Sequence, residues 1–228
     1  MLNNTNIVLI LKSGGDFKMS DVYLLTSHIN RYWQGLPRPS IYCYTDLVTE
    51  QKEVVGLTIR PLPVKEWTGW WSKMNLFAPS LQPLRPFLYI DIDTVIINTI
   101  NGLVPPEDKQ DNFITLRDFY KPQKLASGLM WIPNTANMNK IYSVWFSDVV
   151  KNSKTYRGDQ DFISSVVKAD LYWQDIFGVD YITTFKPNKQ WRVNMPVTSA
   201  VVCFHGEPRI PKAALTVDWV NKYVNYVI

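Results

Sequence analysis

A chain of 228 residues with 46% apolar and 19% charged side chains has ample material for a core and is neither disordered nor fibrous. Its net charge of +4 is mild and its Lys and Arg are scattered, which suits an anionic small molecule and does not require nucleic acid. No apolar run approaches the ~18–20 residues of a membrane span, and Ile7–Leu11 is too short and lacks the basic lead of a signal peptide, so a soluble cytoplasmic protein is expected.

Ile7–Leu11 reads as a buried first strand, closed by Lys12-Ser13-Gly14-Gly15, where two glycines permit close backbone approach to a ligand. Neither the dinucleotide fingerprint nor the P-loop is present. Val22, Leu25, Ile29 and Trp33 recur near a 3.6-residue period and predict a helix over Ser20–Trp33 with Ser20 as its cap; His28 lies on it as a surface or packing residue. Pro37 and Pro39 precede a second strand, Ser40–Tyr44, ending in Thr45-Asp46, and Ile59–Leu62 is a short third. Strand, helix, strand in this rhythm predicts a parallel sheet with crossover helices, whose ligands sit at the carboxyl ends of the strands. Cys43 and Cys203, each in an apolar run, read as buried free thiols.

Next comes Trp67-Thr68-Gly69-Trp70-Trp71-Ser72-Lys73-Met74-Asn75-Leu76-Phe77, with three Trp in five residues and a helical turn from Ser72 to Phe77. Lys73 is placed to meet an anion or, equally, to be a solvated lysine. Leu88–Ile97 then reads as one hydrophobic strand carrying Asp91 and Asp93. Buried carboxylates cost several kcal/mol unless compensated, and i and i+2 side chains of a strand share a face, so both can address one ligand. Hard oxygen donors favour Mg²⁺ or Mn²⁺, usually shared with a phosphate. Composition alone nearly supplies such a spacing, which recurs at Asp159 and Asp161; the apolar setting distinguishes the first pair. A plain turn, with the carboxylates capping loop amides, is the alternative.

Beyond it, Asn101–Asp111 reads as a loop, Phe113–Leu116 and Ser127–Pro133 as strands, and Asn137–Val150 as a helix. Asp159 either caps the helix Phe162–Val167 or serves a site. Val201–Phe204 is a late strand followed by His205-Gly206-Glu207-Pro208-Arg209, and Leu215–Tyr226 is a closing amphipathic helix. Without repeats or linkers, one domain is expected over residues 1–228, with a nucleotide-binding half (1–97) and an acceptor and donor-sugar half (98–228).

Two family resemblances attach to these motifs. The strand ending Asp91-Ile92-Asp93-Thr94-Val95 resembles the first motif of haloacid-dehalogenase-type phosphatases, which implies Asp91 as nucleophile and Asp93 as general acid beside Mg²⁺. The long βαβ-patterned stretch ahead of it departs from that family, and Gly158-Asp159-Gln160-Asp161 lacks its later acidic spacing. More of the chain resembles GT-A-type nucleotide-sugar glycosyltransferases of bacteria and phages, distantly similar to retaining galactosyl- and glycogenin-type transferases. The matching pieces run in order: Leu11–Gly15, Thr45-Asp46, Gly69–Phe77, Leu88–Val95, Ser127–Met130, Gly158–Asp161 and Cys203–Arg209.

That resemblance implies an α/β GT-A-like fold, Rossmann-like, with a mostly parallel central sheet flanked by helices and a smaller acceptor-side region. It implies a DXD motif in which Asp93 binds Mn²⁺ (or Mg²⁺), Asp91 shares metal and ribose, and His205 is the third ligand. Lys73 and Arg209 would contact the diphosphate or sugar, Lys12, Ser13 and Asp46 would lie around the nucleoside, and Asp159 and Gln160 would hold donor-sugar hydroxyls near the anomeric carbon. A UDP-sugar donor and a hydroxyl acceptor follow, either a glycan or, for a phage protein, a hydroxymethylated base in DNA. Arg209 stands where relatives often carry Lys, and it still clamps phosphate. A non-catalytic sugar- or nucleotide-binding module is the remaining reading; it accounts for the tryptophans but not for the Asp/His set.

Overall fold

The computed structural model describes residues 5–225. The chain forms β1 (Asn6–Leu11), α1 (Met19–Tyr32), β2 (Ser40–Thr45), β3 (Lys52–Val54), β4 (Leu57–Pro61), two 3-10 segments (Gly69–Phe77 and Pro79–Leu84), β5 (Phe87–Ile90) and β6 (Thr94–Ile96). After 3-10 turns at Asn101–Leu103 and Glu107–Lys109 follow β7 (Ile114–Arg117), β8 (Leu125–Ile132), α2 (Ala136–Ser147), α3 (Val149–Thr155), α4 (Asp159–Val166) and β9 (Leu171–Tyr172). The chain continues through α5 (Trp173–Phe177), β10 (Ile182–Thr184), a 3-10 turn at Pro187–Lys189, β11 (Val201–Cys203), α6 (Ile210–Ala214) and α7 (Asp218–Val224).

Eight strands make one sheet in the order β3-β4-β2-β1-β5-β8-β7-β9. Its centre, β4-β2-β1-β5, is parallel, while β8 joins β5 and β7 joins β8 antiparallel. The central strands β1 and β5 are buried almost throughout, as strands covered on both faces must be. One face packs α1 against Ile7, Leu9 and Leu88; the other holds the 3-10 segments with α2 and α4 around Phe77, Tyr89 and Trp145. A second sheet, β10-β11-β6, carries α6 and α7 on Phe185, Val202 and Trp219. Both sheets pair strands from the two halves of the sequence, β5 with β8 and β6 with β11.

Several expected boundaries shift for local reasons. The stretch Leu88–Ile97 is not one strand. β5 ends at Ile90, and the chain passes through a turn at Asp91–Asp93 into the second sheet. Asp91 N–H still bonds to Gly128 O at 2.9 Å, continuing the β8 ladder, whereas Asp93 O accepts from Phe204 N at 2.8 Å, beginning the β11 ladder. Helix α1 starts at Met19, because Asp21 takes the Lys18 N–H at 2.7 Å and Ser20 lies inside the first turn. The expected helix 137–150 breaks at Asp148, whose carboxylate caps α3 by accepting from Lys151 N at 2.9 Å. The expected closing helix, Leu215–Tyr226, is shortened to α7, with the separate short helix α6 before it, and Tyr226 lies outside the described residues. Both cysteines are free and buried.

Candidate functional site

A cleft of about 720 Å³ opens at the carboxyl ends of β1 and β5, between the Lys12–Phe17 loop, the Thr68–Lys73 segment, Asp91–Thr94, and the starts of α4 and α6. At the mouth of β1, Lys12 Nζ forms an ion pair with Asp46 at the end of β2. Ser13 binds the same carboxylate through its N–H at 2.8 Å and its hydroxyl at 2.5 Å. Burial works against the charge of Asp46, but Lys12 and Ser13 outweigh it and hold the carboxyl down at about 2. Lys12 and Ser13 line the cleft; Asp46 does not, and acts by fixing the loop that does.

Lys73 sits deeper, buried among three oxygens: Asp159 Oδ2 at 3.0 Å, Asp91 Oδ2 at 3.1 Å and Ser127 Oγ at 3.2 Å. An ammonium has three donors, so this set engages all of them. Burial disfavours its charge, yet Asp159 and Asp91 outweigh that and raise its pKa above the ordinary lysine range. Ser127 in turn donates to Asp159 Oδ2 at 2.6 Å, and Tyr89 donates to Asp91 Oδ1. Asp159 is the first residue of α4, behind the capping Gly158, and its carboxylate turns into the cleft. Gly128 lies close beneath Asp91: a Cβ there would stand 3.4 Å from Oδ2. Gln160 Nε2 donates to Asp118 Oδ2 at 3.0 Å, and Asp161 pairs outside the cleft with Lys124 at 3.2 Å.

Asp93 faces a different cation. Arg209 Nη1 reaches its Oδ2 at 2.9 Å while Nε holds Asp16 at 3.0 Å, so the remaining guanidinium hydrogens stay available to an anion. Burial and the neighbouring Asp91 push the Asp93 carboxyl up to about 7, with Arg209 and Lys73 only partly offsetting them. Asp91 is raised as well, chiefly by burial, against the pull of Lys73. Surplus negative charge therefore remains here, and the oxygen-only donor chemistry of Asp91 and Asp93 fits a hard divalent ion.

The expected third ligand is not assembled with them. His205 Nε2 lies 2.8 Å from Thr184 Oγ1, and its ring stacks on Phe119 at 5.6 Å and meets Tyr120 edge-on at 5.2 Å. Burial, then Lys186, lowers its pKa to about 4, so the ring is neutral. Among the described residues no group of three His, Cys, Asp or Glu is placed to hold a metal ion. His205 nevertheless lines the same cleft.

Residues given no role from the sequence complete the site: Tyr89 and Ser127, which lie inside matched motifs, and Asp16 and Asp118, which do not. Tyr89 stands two residues before Asp91 on the same pleat, so the alternation that pointed to the Asp pair also contained it. Asp118 follows β7 directly, another strand end.

Three solved structures share this arrangement of elements. The glycosyltransferase GlyE of Streptococcus pneumoniae superposes with a TM-score of 0.64 at 9% identity, over 98% of this chain and 61% of that one. The fold is GT-A-like. The galactosyltransferase LgtC, solved with donor and acceptor sugar analogues, gives 0.57 at 11% identity and is covered over 98% of both chains. The bifunctional glycosyltransferase WbbM gives 0.59 at 10% identity, over 96% of this chain and 49% of that one. The chain thus spans 61% of the length of GlyE and nearly all of LgtC. No protein-family model and no curated protein matches the sequence. In this GT-A-like frame the cleft lies at the carboxyl ends of the parallel strands, where open α/β sheets place their ligands. No helix among the described residues is long and apolar enough to cross a membrane.

Proposed function

We propose that the chain is a metal-dependent glycosyltransferase that moves a hexosyl group from a nucleoside-diphosphate sugar, a UDP-sugar, to a hydroxyl acceptor with retention of configuration. The observation that carries this reading is the part-buried cluster of Asp91, Asp93 and Asp159 with Lys73 and Arg209, set in a cleft of a fold whose solved neighbours are glycosyltransferases. Asp91 and Asp93 would hold Mn²⁺ or Mg²⁺, which when bound stabilises the negative charge of the departing nucleoside diphosphate. His205 does not complete that set in this structure.

Of the two cations in the aspartate cluster, Arg209 is the one with donors to spare, so it would face the diphosphate. Lys73 has none free; it positions Asp91 and Asp159 against each other. The Lys12–Ser13 loop, held by Asp46, borders the nucleoside, and Asp159 and Gln160 face the donor sugar. The fold favours this reading over the phosphatase one, since β1 to β4 and their crossover form the frame ahead of Asp91.

Thermal shift with UDP, UDP-glucose and UDP-galactose, with and without Mn²⁺, tests the proposal. Stabilisation should need nucleotide and metal together and vanish in Asp93→Ala, and the product should keep the donor's anomeric configuration by NMR. Phosphate release from a phosphomonoester that depends on Asp91, with no nucleotide response, would replace transfer by phosphatase chemistry.

A further inference from the structure

The loop after β1 is fastened at two places. Its first residues, Lys12 and Ser13, are tied to Asp46 at the end of β2. Its far end is tied to a residue 193 positions away: Asp16 Oδ2 accepts from Arg209 Nε at 3.0 Å. Between the two fastenings the chain turns at Gly14, whose φ of +83° glycine adopts without strain. Asp16 is an exposed carboxylate on the wall of a cleft proposed above to take an anion. By charge alone it would repel that ligand, so its place there calls for another reason.

Arg209 supplies the reason. Three contacts hold its guanidinium: Asp16 at Nε, Asp93 at Nη1 at 2.9 Å, and the Phe17 ring, whose centroid lies 4.9 Å from Cζ. Phe17 is itself half-buried and packs on the core beside α1, so the ring is a fixed platform. A guanidinium is planar and carries five N–H donors; two are engaged here, which leaves three. Held at two atoms and over a ring, the group gives up rotamer freedom before a ligand arrives, so less is lost on binding. A lysine at this position would have three donors, and the same two carboxylates would leave it one.

We infer that Asp16 and Phe17 are positioning residues: they fix Arg209 so that its three unengaged donors are presented to a diphosphate in the cleft. Asp16 thus serves an anion through the cation it orients, and it fastens the loop that borders the nucleoside to the residue that meets the phosphates. The hold on Arg209 stands on these contacts alone; the diphosphate as its ligand rests on the transfer proposed above.

The test reads affinity for uridine, and for UDP with Mn²⁺, by NMR titration and calorimetry. In Asp16→Ala the affinity for UDP should fall about fivefold although a negative charge has left the cleft, while that for uridine stays within about twofold. In an Arg209→Ala background the same substitution should cost nothing further, because Asp16 acts through that side chain. Phe17→Leu, which keeps apolar packing and loses the ring face, should weaken UDP about twofold. Without ligand, the Arg209 Nε–H resonance, assigned by its loss in Arg209→Lys, should be visible in the wild type and lost to solvent exchange in Asp16→Ala. Because Asp16 is exposed, that variant keeps its fold, which its melting temperature reports. Tighter or unchanged UDP binding in Asp16→Ala, equal losses for uridine and UDP, or an undiminished Asp16 effect without Arg209 overturns the inference. A wild type blind to UDP with Mn²⁺ sinks the transfer reading and the diphosphate with it. Loss of the Nε–H signal in Asp16→Ala then still upholds the hold on Arg209, and its persistence ends that too.

Discussion

Asp46 and Asp93 follow the two strands that flank β1, and their surroundings drive them in opposite directions. Asp46 is held down at about 2, because Lys12 and two bonds from Ser13 outweigh the burial that opposes its charge. Asp93 is pushed up to about 7 by burial and by Asp91, with its cations shared among several carboxylates. The first is a closed set of contacts that fixes a loop. The second is left short of positive charge, a condition that destabilises the ligand-free fold and favours a bound cation or a cation-carrying ligand.

Breaking the second region should give the largest effect. Lys73→Met removes the ammonium between Asp91 and Asp159 and strands one buried and one part-buried carboxylate, a loss of about 3 kcal/mol. Calorimetry should show a fall in melting temperature of at least about 6 °C at pH 7.5, smaller at pH 5 where the carboxyls take up protons. An unchanged melting point at both pH values would contradict the electrostatic account.

Asp93→Asn sharpens the contrast by raising stability while removing function. The folded pKa of Asp93 lies above its ordinary 3.8, so its contribution to stability is fully present below about pH 3.8 and lost as pH rises through about 7. The variant should therefore be more stable than the ligand-free wild type by about 2 kcal/mol at pH 8 and equal to it near pH 4, read from denaturant midpoints. It should also lose any stabilisation by UDP with Mn²⁺.

The smallest effect belongs to Asp46→Ala, which frees Lys12 and Ser13 at a cost of about 1 kcal/mol. Here the sign reverses: the folded pKa is depressed, so the contribution is present above about pH 3.8 and fades as pH falls through about 2. Unfolding curves at pH 7 and pH 2.5 should separate the variant from wild type more widely at the former. UDP affinity should weaken a few-fold, because the loop loses its anchor while the charged cluster stays intact.

Much of the scaffold was written in local pattern. Ile7–Leu11, Ser40–Tyr44 and the helix over Val22, Leu25 and Ile29 follow from period and punctuation, and a parallel block with its cleft at the strand ends follows from their order. The edge strand β3, Lys52–Val54, escaped because it is exposed on every residue and carries no apolar alternation. β9 and β10 escaped because two or three residues hold too little period to read. The break after Ile90 was hidden by its own neighbours: apolar residues on both sides of Asp91 and Asp93 read as one strand, although they belong to two sheets.

The sequence by itself determined that Asp91 and Asp93 had to be special, since carboxylates in so apolar a run demand compensation. It also determined the order of the site pieces along the chain. Tertiary structure alone decided what compensates them: Lys73 for Asp91 and Asp159, Arg209 for Asp93, and Thr184 as the partner of His205. It also decided which of three adjacent tryptophans faces the cleft. Burial and partner choice depend on contacts between residues up to 193 positions apart, such as Asp16 and Arg209, and local spacing does not encode them.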